Sequence, residues 1–131
     1  MYRGSCLCEA VRFEFSDYID GLSLCYCSVC RKISGSAFAA TLIVPKEKFK
    51  WISGRDLLKT YEKPTGLSLS FCSKCGSQTP DAEPAGKVYP IPAGILEGDL
   101  DLPLVRHIYT GSKADWCIVV DNGAPQFTED G

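Results

Sequence analysis

The chain has 131 residues, 45% of them hydrophobic and 23% charged, with a formal net charge of −2 at pH 7. That length predicts a single domain, residues 1–131, whose core stands without disulfides. The balance excludes a membrane span, which needs about 20 consecutive apolar residues, and the basic footprint of a nucleic-acid binder.

Residues 1–6 lack the apolar run of a secretory leader, so the expected compartment is a reducing cytoplasm. There a count of eight cysteines points to metal rather than disulfides, with seven of them in close groups and Cys117 alone. Cys6 and Cys8 form the first group. Val11-Arg12-Phe13-Glu14-Phe15 then alternates as a half-buried strand with Val11, Phe13 and Phe15 inward. Residues 17–21 read as a turn. Residues 22–27 read as a strand that places Cys25 and Cys27 on one face and Leu22, Leu24 and Tyr26 on the other, with Cys30 one turn further on.

A continuous apolar run over residues 37–44 suits a buried strand ended by Pro45. One helical turn is expected at residues 46–49 and a short strand at Lys50-Trp51-Ile52; residues 57–62 fit either strand or helix, and Pro64-Thr65-Gly66, which cuts them off, favours the strand. Leu67-Ser68-Leu69-Ser70-Phe71 alternates and delivers Cys72-Ser73-Lys74-Cys75-Gly76, a knuckle in which glycine tolerates the left-handed turn. Residues 81–92 are rich in Pro, Gly and Ala and read as a surface excursion. Apolar segments at residues 93–96, 105–109 and 116–120 complete the chain. Twelve glycines and eight prolines interrupt every helical pattern, so the fold class is mainly β, with antiparallel sheets organised around cysteine-bound metal.

The knuckle cysteines Cys72 and Cys75 need two more sulfurs to close a tetrahedral Zn²⁺ site. Cys6 and Cys8 supply them in one partition, which leaves Cys25, Cys27 and Cys30 as a three-thiolate set with an open fourth position. In the other, Cys25 and Cys27 join the knuckle. The first is favoured because Cys30 then belongs with its near neighbours. Three protein ligands and an open position are the arrangement of a reactive zinc, and a thiolate-rich centre suits an exchangeable thiol substrate. Arg31 and Lys32, directly after the last sulfur, are candidates to clamp the carboxylates of a peptide-like thiol. His107, the lone histidine, reads as structural, and Cys117 as a buried apolar residue.

Gly4-Ser5-Cys6-x-Cys8-x-Ala10-Val11-Arg12-Phe13, Cys25-x-Cys27-Ser28-x-Cys30-Arg31-Lys32 and Phe71-Cys72-x-x-Cys75-Gly76-Ser77 lie in that order. Gly94-x-Leu96 and His107-Ile108-x-x-x-Ser112-Lys113-Ala114-x-Trp116 follow. This layout resembles the family of glutathione-dependent formaldehyde-activating enzymes, which also includes centromere-protein-V-like proteins. The chain departs from many relatives at Glu9, where they carry glycine, and over residues 67–70, where they carry a basic residue. The resemblance implies several coiled β-sheets, a structural zinc on Cys6, Cys8, Cys72 and Cys75, and a second zinc on Cys25, Cys27 and Cys30. It implies a carbon–sulfur lyase joining glutathione and formaldehyde to S-hydroxymethylglutathione; Cys25, Cys27 and Cys30, with Arg31 from its position beside them, are then the candidate catalytic residues. The expected partners are a small thiol and an aldehyde, with no nucleic acid and no membrane. A zinc-stabilised binding or storage module is the alternative, distinguished by having no rate above the spontaneous reaction.

Overall fold

In the computed structural model, which describes residues 1–130, the side chains of Val11, Phe13 and Phe15 turn inward as their alternation predicts, each at 1% exposure or less. Burying each contributes about 1.5–3 kcal/mol. The strands in chain order are β1 (Tyr2–Ser5), β2 (Arg12–Phe15), β3 (Ile19–Cys25), β4 (Ala39–Pro45), β5 (Phe49–Ser53), β6 (Leu58–Glu62), β7 (Ser68–Cys72), β8 (Gln78–Thr79), β9 (Val88–Pro92) and β10 (Leu104–Ile108). A single short α-helix, α1 (Ser28–Ser34), stands among the described residues, beside 3₁₀ turns at Lys46–Lys48, Arg55–Leu57, Ala93–Ile95 and Thr110–Ser112. The class is mainly β. No helix among the described residues is long and apolar enough to cross a membrane.

The chain folds into two compact units. The first comprises Met1–Ile19 and Leu42–Leu100. In it β1, β2 and β5 form an antiparallel sheet, with Gly4 opposite Phe13 and Phe13 opposite Trp51. A methyl group at Gly4 would overlap the Phe13 ring, so glycine lets that ring lie flat over β1. Phe13, Phe49 and Tyr89 stack, with Phe49 and Tyr89 centroids 3.9 Å apart. A second antiparallel sheet, β6–β7–β8, holds the knuckle at the end of β7.

The second unit comprises Asp20–Thr41 and the described residues from Asp101 onward. Here β10 runs parallel to β3, with His107 beside Leu24 and Ile108 beside Cys25, which departs from the antiparallel pattern expected. Its buried cluster is Tyr26, Ala114 and Cys117, with Leu24, Ala37, Phe38 and Val119 packed against it.

Three local expectations are corrected. Residues 17–21 are not simply a turn, because β3 begins at Ile19. The Leu22 N–H donates to the Pro103 carbonyl, and Arg106 bonds Asp20 and Ser23, so partners 80 or more residues away draw this stretch into the sheet. The cysteine strand stops at Cys25 rather than Cys27, and the turn holding Cys30 is a helix capped by Cys27. Residues 81–92 are only half a surface excursion. Val88–Pro92 is β9, with Tyr89 and Ile91 buried and Pro90 outward, and its prolines mask a period of two.

Candidate functional site

Four sulfurs meet in the first unit. Cys6, Cys8, Cys72 and Cys75 offer ligand atoms all within 4.8 Å of one another. Cys6 and Cys8 sulfurs are 3.5 Å apart, and Cys8 and Cys72 sulfurs 3.8 Å. A disulfide bond is about 2.05 Å long, so these thiols are not bonded to each other. A tetrahedral ion with arms of about 2.3 Å to sulfur has edges of ~3.8 Å, and the observed spacings fit it.

Local sequence explains the convergence. After Cys6, the Glu9 N–H donates to the Cys6 carbonyl and the Val11 N–H donates to the Cys6 sulfur at 3.3 Å, so the chain folds back around that sulfur. The loop requires a left-handed residue, and Glu9 supplies it at φ 64, where glycine is the ordinary solution. In the knuckle the Gly76 N–H donates to the Cys72 carbonyl with Gly76 at φ 79. Trp51, Leu57 and Leu58 pack over the buried Cys6 and Cys72.

Ser77 links the two halves of this group. Its Oγ accepts the Leu7 N–H at 2.9 Å and lies 3.3 Å from the Cys75 sulfur, so the hydroxyl proton is available to a thiolate there. Ser77, with further help from backbone N–H groups, lowers the Cys75 thiol to about 5. At Cys8 the Ala10 backbone favours the thiolate, but desolvation and the thiols of Cys6, Cys75 and Cys72 outweigh it and raise Cys8 to about 11. Hydrogen bonding within a packed thiol cluster thus drives one pKa up and another down.

Three sulfurs meet in the second unit. Those of Cys25, Cys27 and Cys30 also lie within 4.8 Å of one another, all partly exposed, and no fourth Cys, His, Asp or Glu joins them among the described residues. Cys25 ends β3, and Cys27 is the N-cap of α1, its sulfur accepting the Cys30 N–H at 3.3 Å. The C-x-x-C spacing thus becomes cap to third helical position, which puts both sulfurs at the same end of the helix. Gly35 closes the helix in the left-handed conformation, its N–H returning to the Arg31 carbonyl.

Burial raises the Cys25 and Cys30 thiols, with hydrogen bonds to Cys25 and Cys27 adding to the rise at Cys30. Burial opposes ionisation of Cys27 as well, but the Cys30 N–H and hydrogen bonds from Cys25 and Cys30 bring it below its ordinary value. Cys27 is therefore the thiol of the trio that ionises most readily, with Cys25 and Cys30 placed to donate to it.

Each sulfur group can hold a metal ion. Arg31 Nη2 donates to the Ser112 carbonyl at 3.3 Å, and Arg31 Nε is buried without a hydrogen-bond partner. Lys32 is exposed on α1. His107 and Cys117 lie outside both sulfur groups. Both are buried, His107 between Tyr26 and Asn122.

Two neighbours of the trio are tyrosines, of which Tyr109 carries no signal in the linear sequence. The Tyr109 phenol is raised by Asp130, by desolvation and by Cys25 and Cys27, which puts it within electrostatic range of two of the sulfurs. Tyr109 is also left-handed, at φ 56. Tyr26 separates Cys25 from Cys27, and burial, with the nearby Cys117, raises its phenol, so it remains a donor.

The family model described as glutathione-dependent formaldehyde-activating enzyme matches residues 1–112. A protein of Halomonas elongata named "Putative glutathione-dependent formaldehyde-activating enzyme" is 31% identical over 125 residues, spanning 88% of this chain and 79% of its own. A Schizosaccharomyces pombe protein named as an uncharacterized lyase is 28% identical over 130 residues, 98% of this chain and 92% of its own. The crystal structure of a Rhodobacter sphaeroides protein matches with a TM-score of 0.61 at 26% identity, covering 76% of this chain and 91% of that one.

Proposed function

Since the chain belongs to the glutathione-dependent formaldehyde-activating enzyme family, we propose that it is a zinc-dependent carbon–sulfur lyase. Its reaction joins a thiol to a small aldehyde reversibly, glutathione and formaldehyde giving S-hydroxymethylglutathione. The observation that carries this reading is the contrast between the two sulfur groups: four cysteines that can close a tetrahedral site, and three partly exposed ones without a fourth protein ligand among the described residues. The reading takes residues 1–131 as one zinc-binding domain acting on small molecules in the cytoplasm.

Cys6, Cys8, Cys72 and Cys75 would hold a structural zinc, and Cys25, Cys27 and Cys30 a second. A zinc ion held there would supply the Lewis acidity that lowers the pKa of an added thiol. In the addition a sulfur lone pair forms the S–C bond, the carbonyl π pair moves to oxygen, and the proton lost by the thiol ends on that oxygen. The protein's contribution is placement. Cys27 holds the start of α1 so that Cys30 faces its neighbours, and Arg31 and Lys32 receive the carboxylates of the thiol substrate. The unpartnered Arg31 Nε supports this role, since a buried donor without an acceptor costs about 1–3 kcal/mol until one arrives.

Metal analysis with an adduct-formation assay tests the proposal. Wild type is expected to carry two zinc ions per chain and to exceed the spontaneous rate. Cys25→Ser is expected to retain one zinc and a folded structure while losing the rate. Two zinc ions without any rate enhancement would make the chain a binding or storage module instead.

A further inference from the structure

Tyr26 lies between Cys25 and Cys27 in the chain, yet its side chain belongs to the core, 2% exposed with Ala114 and Cys117 and edge-on to Phe38. Its hydroxyl is 2.8 Å from His107 Nδ1, and His107 Nε2 is 3.3 Å from Asn122 Oδ1. The direction of this chain of bonds follows from its far end. Asn122 Oδ1 also accepts the Ala124 N–H at 3.2 Å, which fixes that atom as the oxygen. In the neutral imidazole, His107 Nε2 therefore donates to Asn122, Nδ1 is the acceptor, and the Tyr26 hydroxyl donates to Nδ1.

The histidine is itself immobilised at its main chain. Its N–H donates to the Pro125 carbonyl at 2.9 Å, and its carbonyl accepts the Phe127 N–H at 2.8 Å. The Tyr26 N–H donates to the Ile108 carbonyl at 3.1 Å. The residue between the two sulfurs is thus held at its backbone and at the tip of its ring. A residue so fixed sets the separation of its two neighbours before any ion arrives, which removes an ordering cost from binding.

We propose that Tyr26, oriented by His107 and Asn122, is a positioning residue that presets Cys25 and Cys27 for metal binding. This rests on reading Cys25, Cys27 and Cys30 as a metal site. Cys6, Cys8, Cys72 and Cys75 belong wholly to the other unit, so they serve as a reference within the same molecule.

Co²⁺ titration of the full chain after chelation, followed by thiolate charge-transfer and ligand-field absorption, reads each group. Cys25→Ser identifies which equivalent belongs to the trio. Tyr26→Phe is expected to weaken that equivalent about tenfold and shift its bands, leaving the other equivalent unchanged. Tyr26→Phe alone strands the His107 acceptor, so the double variant Tyr26→Phe/His107→Leu provides a control. Removing both partners is expected to restore melting temperature without restoring affinity.

A wild type that takes up one equivalent overturns the reading beneath the proposal. With two equivalents in wild type, the positioning role is overturned if Tyr26→Phe binds unchanged, if both equivalents weaken alike, or if the double variant regains affinity along with stability.

Discussion

The Cys27 sulfur accepts the backbone N–H of Cys30 at 3.3 Å, so one residue both caps α1 and belongs to the three-sulfur group. Substitution separates the roles. Serine caps a helix at least as well but offers a hard oxygen in place of a soft sulfur. Cys27→Ser is expected to lose one zinc while the chelated protein keeps its stability. Cys27→Ala is expected to lose the same zinc and a further ~1 kcal/mol. Urea denaturation of the chelated variants, with metal content measured before chelation, makes the comparison; equal stability of the two would show that the cap contributes nothing.

Gly54 enters the 3₁₀ turn Arg55–Leu57 at φ 78, and a β-carbon there would overlap the Ala10 carbonyl and crowd Val11. Neither obstacle is a flexible side-chain tip. Gly54→Ala combines left-handed strain of about 1–2 kcal/mol with a backbone shift, and the expected destabilisation is on the order of 2–4 kcal/mol. Denaturation midpoints measure it, and a variant as stable as wild type would refute the close approach.

In the metal-free protein Cys75 and Cys8 should differ in reactivity opposite to the order of their exposure. Cys75 is lowered from 9.0 to about 5, so its contribution to the metal-free fold is present above pH 9 and lost as pH falls through 5. Cys8 is raised from 9.0 to about 11, so its contribution is present below pH 9 and lost as pH rises through 11. At pH 7 iodoacetamide is expected to modify the partly buried Cys75 well before the exposed Cys8. Peptide mapping of the chelated protein between pH 5 and 10 tests this, with zinc expected to protect both; faster modification of Cys8 at neutral pH would contradict it.

Arg31 is tied to Ser112 and retains an unpartnered Nε. If it receives a carboxylate, Arg31→Ala removes a charge-assisted hydrogen bond of about 1.5–3 kcal/mol. The expected result is a KM for the thiol raised at least tenfold, with kcat little changed. Lysine restores charge but not the planar fork, so Arg31→Lys should recover only part of the loss. Steady-state kinetics with a carboxylate-free thiol as control decide the point, since that substrate should not distinguish the variants.

What was legible in the sequence was what neighbouring residues determine. The alternation of Val11, Phe13 and Phe15, the knuckle at Cys72 and Cys75, and the helical turn after Pro45 all follow from local spacing. The sulfur groups were legible because cysteine is rare enough for its clustering to be informative. The composition of Asp20 and Gly21 points to a turn, and Arg106, more than 80 residues away, overrides it. The bond from Tyr26 to His107 spans 81 residues, and nothing near either position announces the other. Glu9 is a different case. Its left-handed backbone is one that glycine would adopt without strain, and its 2.8 Å ion pair with Arg12 is too exposed to offset much of that strain.

The four-sulfur group also bears on how the chain is made. Cys8 and Cys72 meet across 64 residues, so during synthesis the first half of the site waits, with thiols unligated, until the knuckle has left the ribosome. At roughly 5–20 residues per second that interval lasts several seconds, long enough for premature oxidation or capture of a stray ion by Cys6 and Cys8. If zinc fills this group, metal supply at the moment of chain completion would bear on yield, separately from the stability of the finished fold.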